Sequence, residues 1–179
     1  LLSHAQNDST VKEYLKTYTS YPFSQPNPVP DGGLIYPYFR FDGFTNKPVQ
    51  QQWKVVELEN DFIKVQVMPQ IGGKIWTAID KKNNKPFIYN NDVVKFRDIA
   101  MRGPWTSGGI EANFGIIGHT PGVSNPVDYL TRKNDDGSVS CIISLLDMLT
   151  ESRWSLEIRL PKDKAYFTTR SFWYNNTKI

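Results

Sequence analysis

The stretch "WKVVELENDFIKVQVMPQIGGKIWTAIDKKNNKPFIY", Trp53–Tyr89, decides the fold class. Its apolar residues recur at short intervals, with Phe62, Val65 and Val67 close to strict alternation, the period of a half-buried strand. Asn60-Asp61 is a turn dipeptide, so "WKVVELEN" and "DFIKVQVMP" read as a hairpin. A second hairpin follows: a strand over Lys74–Asp80, a polar turn at "KKNNK", and a strand at Phe87–Tyr89.

The same grammar continues downstream. "PVDYLTRKNDDGSVSCIISLLDMLT" is two strands about an "NDDG" turn, and "SRWSLEIRLP" and "KAYFTTRSFWYNNT" supply two more. Serial hairpins with almost no helical periodicity predict an all-β protein, an antiparallel β-sandwich. Upstream the signals weaken. "TVKEYLKTYT" fits a short strand or a short helix. Residues 21–37 hold five of the twelve prolines, which fix φ and remove donors, as in an extended, wrapping arm. The expected organisation is a signal-peptide remnant over 1–5, a Pro-rich arm over 6–52, and the sandwich from 53 to 179. Because "WYNNTKI" reads as a strand leading into a turn, the sandwich is expected to be the N-terminal, incomplete part of a longer protein. Ser3-His4-Ala5 after Leu1-Leu2 fits a secretory cleavage pattern, so the expected location is the periplasm. No stretch is long enough for a transmembrane helix.

Composition excludes several functions. The 179 residues are 39% hydrophobic and 22% charged, with a net charge of +3. That is one domain with a proper core, and it offers no electrostatic case for nucleic acid or an anionic membrane. The lone Cys141 can form no disulfide within the chain and sits in an alternating apolar run, as a small buried hydrophobe would. The aromatic content, with five Trp and nine Tyr, suits strand packing and also sugar-binding platforms.

No P-loop, G-x-S-x-G elbow, H-E-x-x-H or dinucleotide fingerprint is present. The chemistry-bearing segment is "RGPWTSGGIEANFGIIGHTPG", Arg102–Gly122, with six glycines around Glu111, Asn113 and His119. An imidazole can exchange a proton near neutral pH, and a nearby carboxylate can be its counterpart or hold a hydroxyl. Alternatively, Glu111 sits in a structural ion pair with Arg102 or Arg97. Asn113, Trp105 and Trp76 complete the candidate set, since an indole face can stack on a pyranose while amide and carboxylate bind its hydroxyls. Asp128 and Tyr129 read as the start of a strand rather than a pocket edge. No cofactor and no metal site is expected.

The "MPxxGGKIWxAxDKxxxxxFIY" pattern, followed by "WxSGGIExNF…H…PVDY", resembles the DUF5107 group from about Lys12 onward. The resemblance implies a galactose-mutarotase-like β-supersandwich, in bacterial proteins often joined to tetratricopeptide repeats. "GGIEANFGIIGH" is similar to the loop of aldose and hexose-phosphate epimerases that carries their first His. That likeness implies His119 as general acid or sugar ligand, and Arg102 as a hydroxyl or anion ligand. The epimerases draw their base, a Glu, from late in the domain, beyond this chain. Where the wider group commonly has a bulky aromatic between Glu and Asn, this chain has Ala112, which leaves more room.

Two functions follow. The first is carbohydrate-active chemistry of an aldose epimerase-like isomerase, a glycosidase or a lyase, with His119 and Glu111 catalytic and Arg102, Trp105, Asn113 and Trp76 binding the sugar. The second is a non-catalytic carbohydrate-binding or scaffold domain serving the C-terminal remainder of a larger exported protein. A weaker third reading has the loop glycines only permitting close packing.

Overall fold

The structure is a computed structural model and describes residues 7–22, 45–98, 104–113, 121–147 and 151–175. Among the described residues eleven strands are defined: β1 (Thr10–Tyr21), β2 (Val49–Glu59), β3 (Ile63–Met68), β4 (Lys74–Asp80), β5 (Lys85–Ile88), β6 (Val93–Asp98), β7 (Pro104–Thr106), β8 (Asp128–Lys133), β9 (Val139–Asp147), β10 (Ser152–Leu160) and β11 (Thr168–Tyr174). They form a seven-stranded sheet in the order β5-β4-β3-β2-β1-β6-β7 and a four-stranded sheet in the order β11-β10-β9-β8. The expected β-sandwich is present. Among the described residues no helix is long and apolar enough to cross a membrane.

The local turns made this topology readable. Asn60 Oδ1 accepts from the backbone N–H of both Phe62 and Ile63, each at 2.9 Å, closing the β2–β3 turn. That closure sets the register. Ile63, Val65 and Val67 point into the core, while Phe62 is 39% exposed, so the expected alternation through Phe62 is off by one. The "NDDG" turn closes as read, with Gly137 at φ 78° and its N–H donating to Asn134 O at 3.0 Å. Pro86 lies in edge strand β5, where a missing donor costs least.

Two features go beyond the sequence reading, which left the first segment open between strand and helix. "TVKEYLKTYT" is strand: β1 runs antiparallel to β2 from Thr10 to Ser20. Thr10–Tyr21 and the residues from Val49 on are thus strand rather than the arm expected over 6–52, and most of the segment between them lies outside the described residues. Secondly, β1 also pairs in parallel with β6, Thr19 opposite Val93, so the larger sheet is mixed rather than purely antiparallel.

The main core fills the space between the sheets. Val56, Leu58, Val65, Val67 and Ile75 of the larger sheet meet Cys141, Ile143, Trp154, Ile158 and Leu160 of the smaller. Burial pushes the Cys141 thiol up to about 12, helped by the charge of Glu13, so it stays protonated and inert. Val55, Trp53, Met68 and Trp76 point to the other face and join Tyr18, Val94 and Phe96 in a second cluster. Both faces of the larger sheet are thus buried, which is why "WKVV" carries apolar residues in succession.

Candidate functional site

The segment 107–113 is pinned beside β4 by its own backbone. Gly108 and Gly109 adopt φ of 79° and 69°, values that favour glycine. Gly109 N–H donates to Tyr89 O at 2.7 Å, and Ile110 exchanges two backbone hydrogen bonds with Ile75, at 2.9 and 3.1 Å. A side chain at Gly109 would run into the Ile75 carbonyl. The glycines here therefore permit close backbone approach, and residues 111–113 emerge beyond it facing the smaller sheet.

Between them lies a cleft of about 380 Å³. One wall is Ile75 with Ile110, Glu111, Ala112 and Asn113. The other includes Trp154 and Leu156 of β10 with Thr169, Ser171 and Trp173 of β11. The register pairs Trp154 with Trp173 and Leu156 with Ser171, so these residues share one face of the sheet. Trp154 is core, whereas Trp173 is 65% exposed at the rim.

Glu111 is held at both carboxylate oxygens. Its Oε2 accepts from Asn113 Nδ2 at 3.2 Å, and its Oε1 lies 3.8 Å from Lys74 Nζ. The Lys74 ammonium is buried and also donates to the Thr106 carbonyl and to Thr106 Oγ1 at 2.9 Å. Burial pushes the Lys74 amine down to about 8, and the Glu111 carboxylate offsets only part of that cost. The sign of the linkage follows. Between about 8 and the ordinary lysine value the unfolded chain binds more protons than the folded one, so Lys74 contributes stability that rises with pH. Thermal unfolding of wild type and Lys74→Met across pH 7–10 should show wild type gaining on the variant as pH rises. A constant difference would place the amine at its ordinary value.

The structure brings Glu111 and Asn113 together in the cleft and puts Ala112 in its wall. The expected tryptophans are elsewhere. Trp76 is 1% exposed and packs edge-to-face on Tyr18, centroids 5.7 Å apart, in the second core cluster. It packs in the cluster on the other face of the larger sheet, whereas its neighbour Ile75 lines the cleft. Trp105 is half-buried on β7 and outside the cleft lining. His119 and Arg102 lie outside the described residues, as does the side chain of Arg97. Asp128 and Tyr129 begin β8 as read; Tyr129 OH donates to Glu13 at 2.9 Å, and Asp128 pairs with Arg153 at 3.2 Å.

Sequence reasoning missed Lys74 and Trp173. Lys74 left one trace, a lysine between Gly73 and the largely apolar run Ile75–Ile79; Trp173 left none that separates it from the other tryptophans.

A larger hollow of about 630 Å³ lies at the far end, lined by Phe62, Ile63, Asp80, Lys81 and Phe87 among others. Two of its polar side chains are engaged within the chain. Asp80 accepts from Lys82 N at 2.8 Å and Asn83 Nδ2 at 2.9 Å, and Lys81 pairs with Glu59 at 2.7 Å. The smaller cleft, with a carboxylate, an amide and an indole, has the better ligand-binding character.

Comparison with solved structures finds a TPR-domain containing protein from Parabacteroides distasonis ATCC 8503, at 26% identity and a TM-score of 0.84. The match covers 97% of this chain and 30% of that one, so the chain spans under a third of the length of its structural relative. The glycine turn before Lys74, the pinned 107–113 segment and the cleft wall all lie in residues 30–179, which match the family model described as "Domain of unknown function (DUF5107)". On that match the chain belongs to the DUF5107 family.

Proposed function

We propose that the cleft binds a carbohydrate, and that the chain is the sugar-binding part of a larger, exported, mutarotase-like protein. One observation carries the reading: a carboxylate and an amide in mutual contact, Glu111 and Asn113, share a sugar-sized cleft with the exposed indole of Trp173. Carboxylate and amide groups suit the in-plane hydroxyls of a pyranose, and an indole is an amphipathic face of matching size. Ser171 and Thr169 add hydroxyls on the opposite wall. The remainder of the full-length protein is the expected intramolecular partner, with tetratricopeptide repeats supported by likeness to the Parabacteroides protein. Periplasmic export is supported by the Ser3-His4-Ala5 pattern.

The test is calorimetry of the full-length protein against D-galactose, D-glucose, D-mannose and their oligomers. Wild type should bind at least one of them, and Glu111→Gln should weaken that binding about tenfold, the order of one charge-assisted hydrogen bond. No binding across the series would remove the carbohydrate reading. Anomer interconversion followed by polarimetry, present in wild type and lost in His119→Ala, would extend the reading to acid–base catalysis.

A further inference from the structure

We propose that Lys74 is a positioning residue of the cleft: its buried ammonium, fixed by Thr106, holds one oxygen of Glu111 so that the other is presented with Asn113 to the ligand. The proposal deepens the carbohydrate reading and rests on it for the identity of the ligand.

The ammonium has three oxygen neighbours. Two are the carbonyl and hydroxyl of Thr106, to which it donates, and the third is Glu111 Oε1 at 3.8 Å. Thr106 ends β7, directly before the 107–113 segment, while Lys74 opens β4. The side chain therefore ties the strand preceding the segment to the strand the segment leans on. Glu111 is itself largely covered, with 12% of its side chain exposed. A carboxylate so placed has few ways to keep its orientation except through partners. Lys74 takes Oε1 and Asn113 takes Oε2.

Packing alone does not account for a lysine at this position. Removing an ammonium from water costs more than an ion pair usually returns, and replacing a whole buried pair by apolar residues of similar volume commonly serves stability as well or better. The lowered basicity of Lys74 has that same origin, burial outweighing the attraction of Glu111. What the lysine adds is direction. Among the described residues the charged group facing it is Glu111.

Two arms on the full-length protein test this. The first uses no sugar: lysine labelled with ¹³C at Cε is titrated by NMR, and Lys74 is assigned by its loss in Lys74→Met. In Glu111→Gln the Lys74 titration should move down by about one pH unit or more, as loss of an opposite charge at this range requires. An unmoved titration would overturn the coupling. The second arm measures D-galactose affinity by calorimetry. Lys74→Met should weaken it about tenfold, with a lower unfolding temperature at pH 7, because Glu111 and the Thr106 carbonyl lose their buried partner. Once Glu111→Gln is present, Lys74→Met should cost nothing further. Wild-type affinity in Lys74→Met, or losses that simply add, would overturn the proposal. Thr106→Val leaves the ammonium in place and should weaken binding in the same direction; it serves if Lys74→Met does not fold. If wild type itself ignores D-galactose, that sugar is excluded, while the NMR arm still decides whether Lys74 and Glu111 act together.

Discussion

Gly72→Ala is expected to destabilise the protein by about 2–5 kcal/mol, the sum of a left-handed backbone penalty and an overpacking penalty. Gly72 has φ 62°, and a Cβ there would sit 2.6 Å from Val123 Cα and 2.7 Å from Gly122 O. Both obstacles are backbone, so no rotamer change relieves them. The contact is also bonded: Gly72 N–H donates to Asn125 O at 2.7 Å, and Val127 N–H to Pro69 O at 2.9 Å. The turn leading into β4 and the segment leading into β8 are thus one packed unit, and separating them disturbs both sheets. Gly122→Ala is the control. Its Cβ would meet Leu145 Cδ2 at 2.5 Å, the far end of a side chain that can rotate. Chemical denaturation of both variants checks the contrast. A Gly72→Ala midpoint equal to that of Gly122→Ala would mean that the two segments can part without cost.

The hairpins were legible because their information is local. Asn60, the "KKNNK" turn and the "NDDG" turn each sit within a few residues of the strands they join, and the structure pairs those strands as the turns require. The register at Phe62-Ile63 was not legible, because two adjacent apolar residues satisfy alternation equally well. Side-chain capping by Asn60 fixes which one points inward. β1 was ambiguous for another reason. Tyr14 and Tyr18 are four apart, as on a helix face, and most of the strand's other side chains are exposed or half-buried. Only pairing with β2, some forty residues away at Tyr14↔Val55, and the parallel contact with β6 make it a strand. Non-local pairing overrides weak local preference.

The site divided along the same line. Glu111 and Asn113 were found together because one glycine-rich segment carries both. Lys74 lies well upstream in sequence, and nothing in its spacing announces Glu111; the clue was a lysine where the strand is otherwise buried. The tryptophans could not be ranked from sequence at all. Trp76 and Trp173 are both strand residues, and which face each occupies depends on how the strands are stacked.

That difference is the basis of the largest expected effect on binding. Trp173→Ala should reduce carbohydrate affinity about thirtyfold, the cost of truncating an aromatic anchor worth about 2 kcal/mol. Stability should move by no more than about 0.5 kcal/mol, because the side chain is mostly exposed. The two readouts must separate for the assignment to hold. Trp154, its cross-strand neighbour, cannot serve in its place, because it is 6% exposed and part of the core. Trp173→Phe should keep part of the affinity, since a smaller aromatic face remains available for stacking. Trp173→Leu fills comparable space without such a face and should behave like alanine. If leucine binds as phenylalanine does, the rim contributes apolar area rather than a ring face, and the cleft's preference for sugars must then come from Glu111 and Asn113 alone. If alanine binds as wild type does, the ligand does not reach β11, and the site contracts to the wall built by residues 110–113 and Ile75.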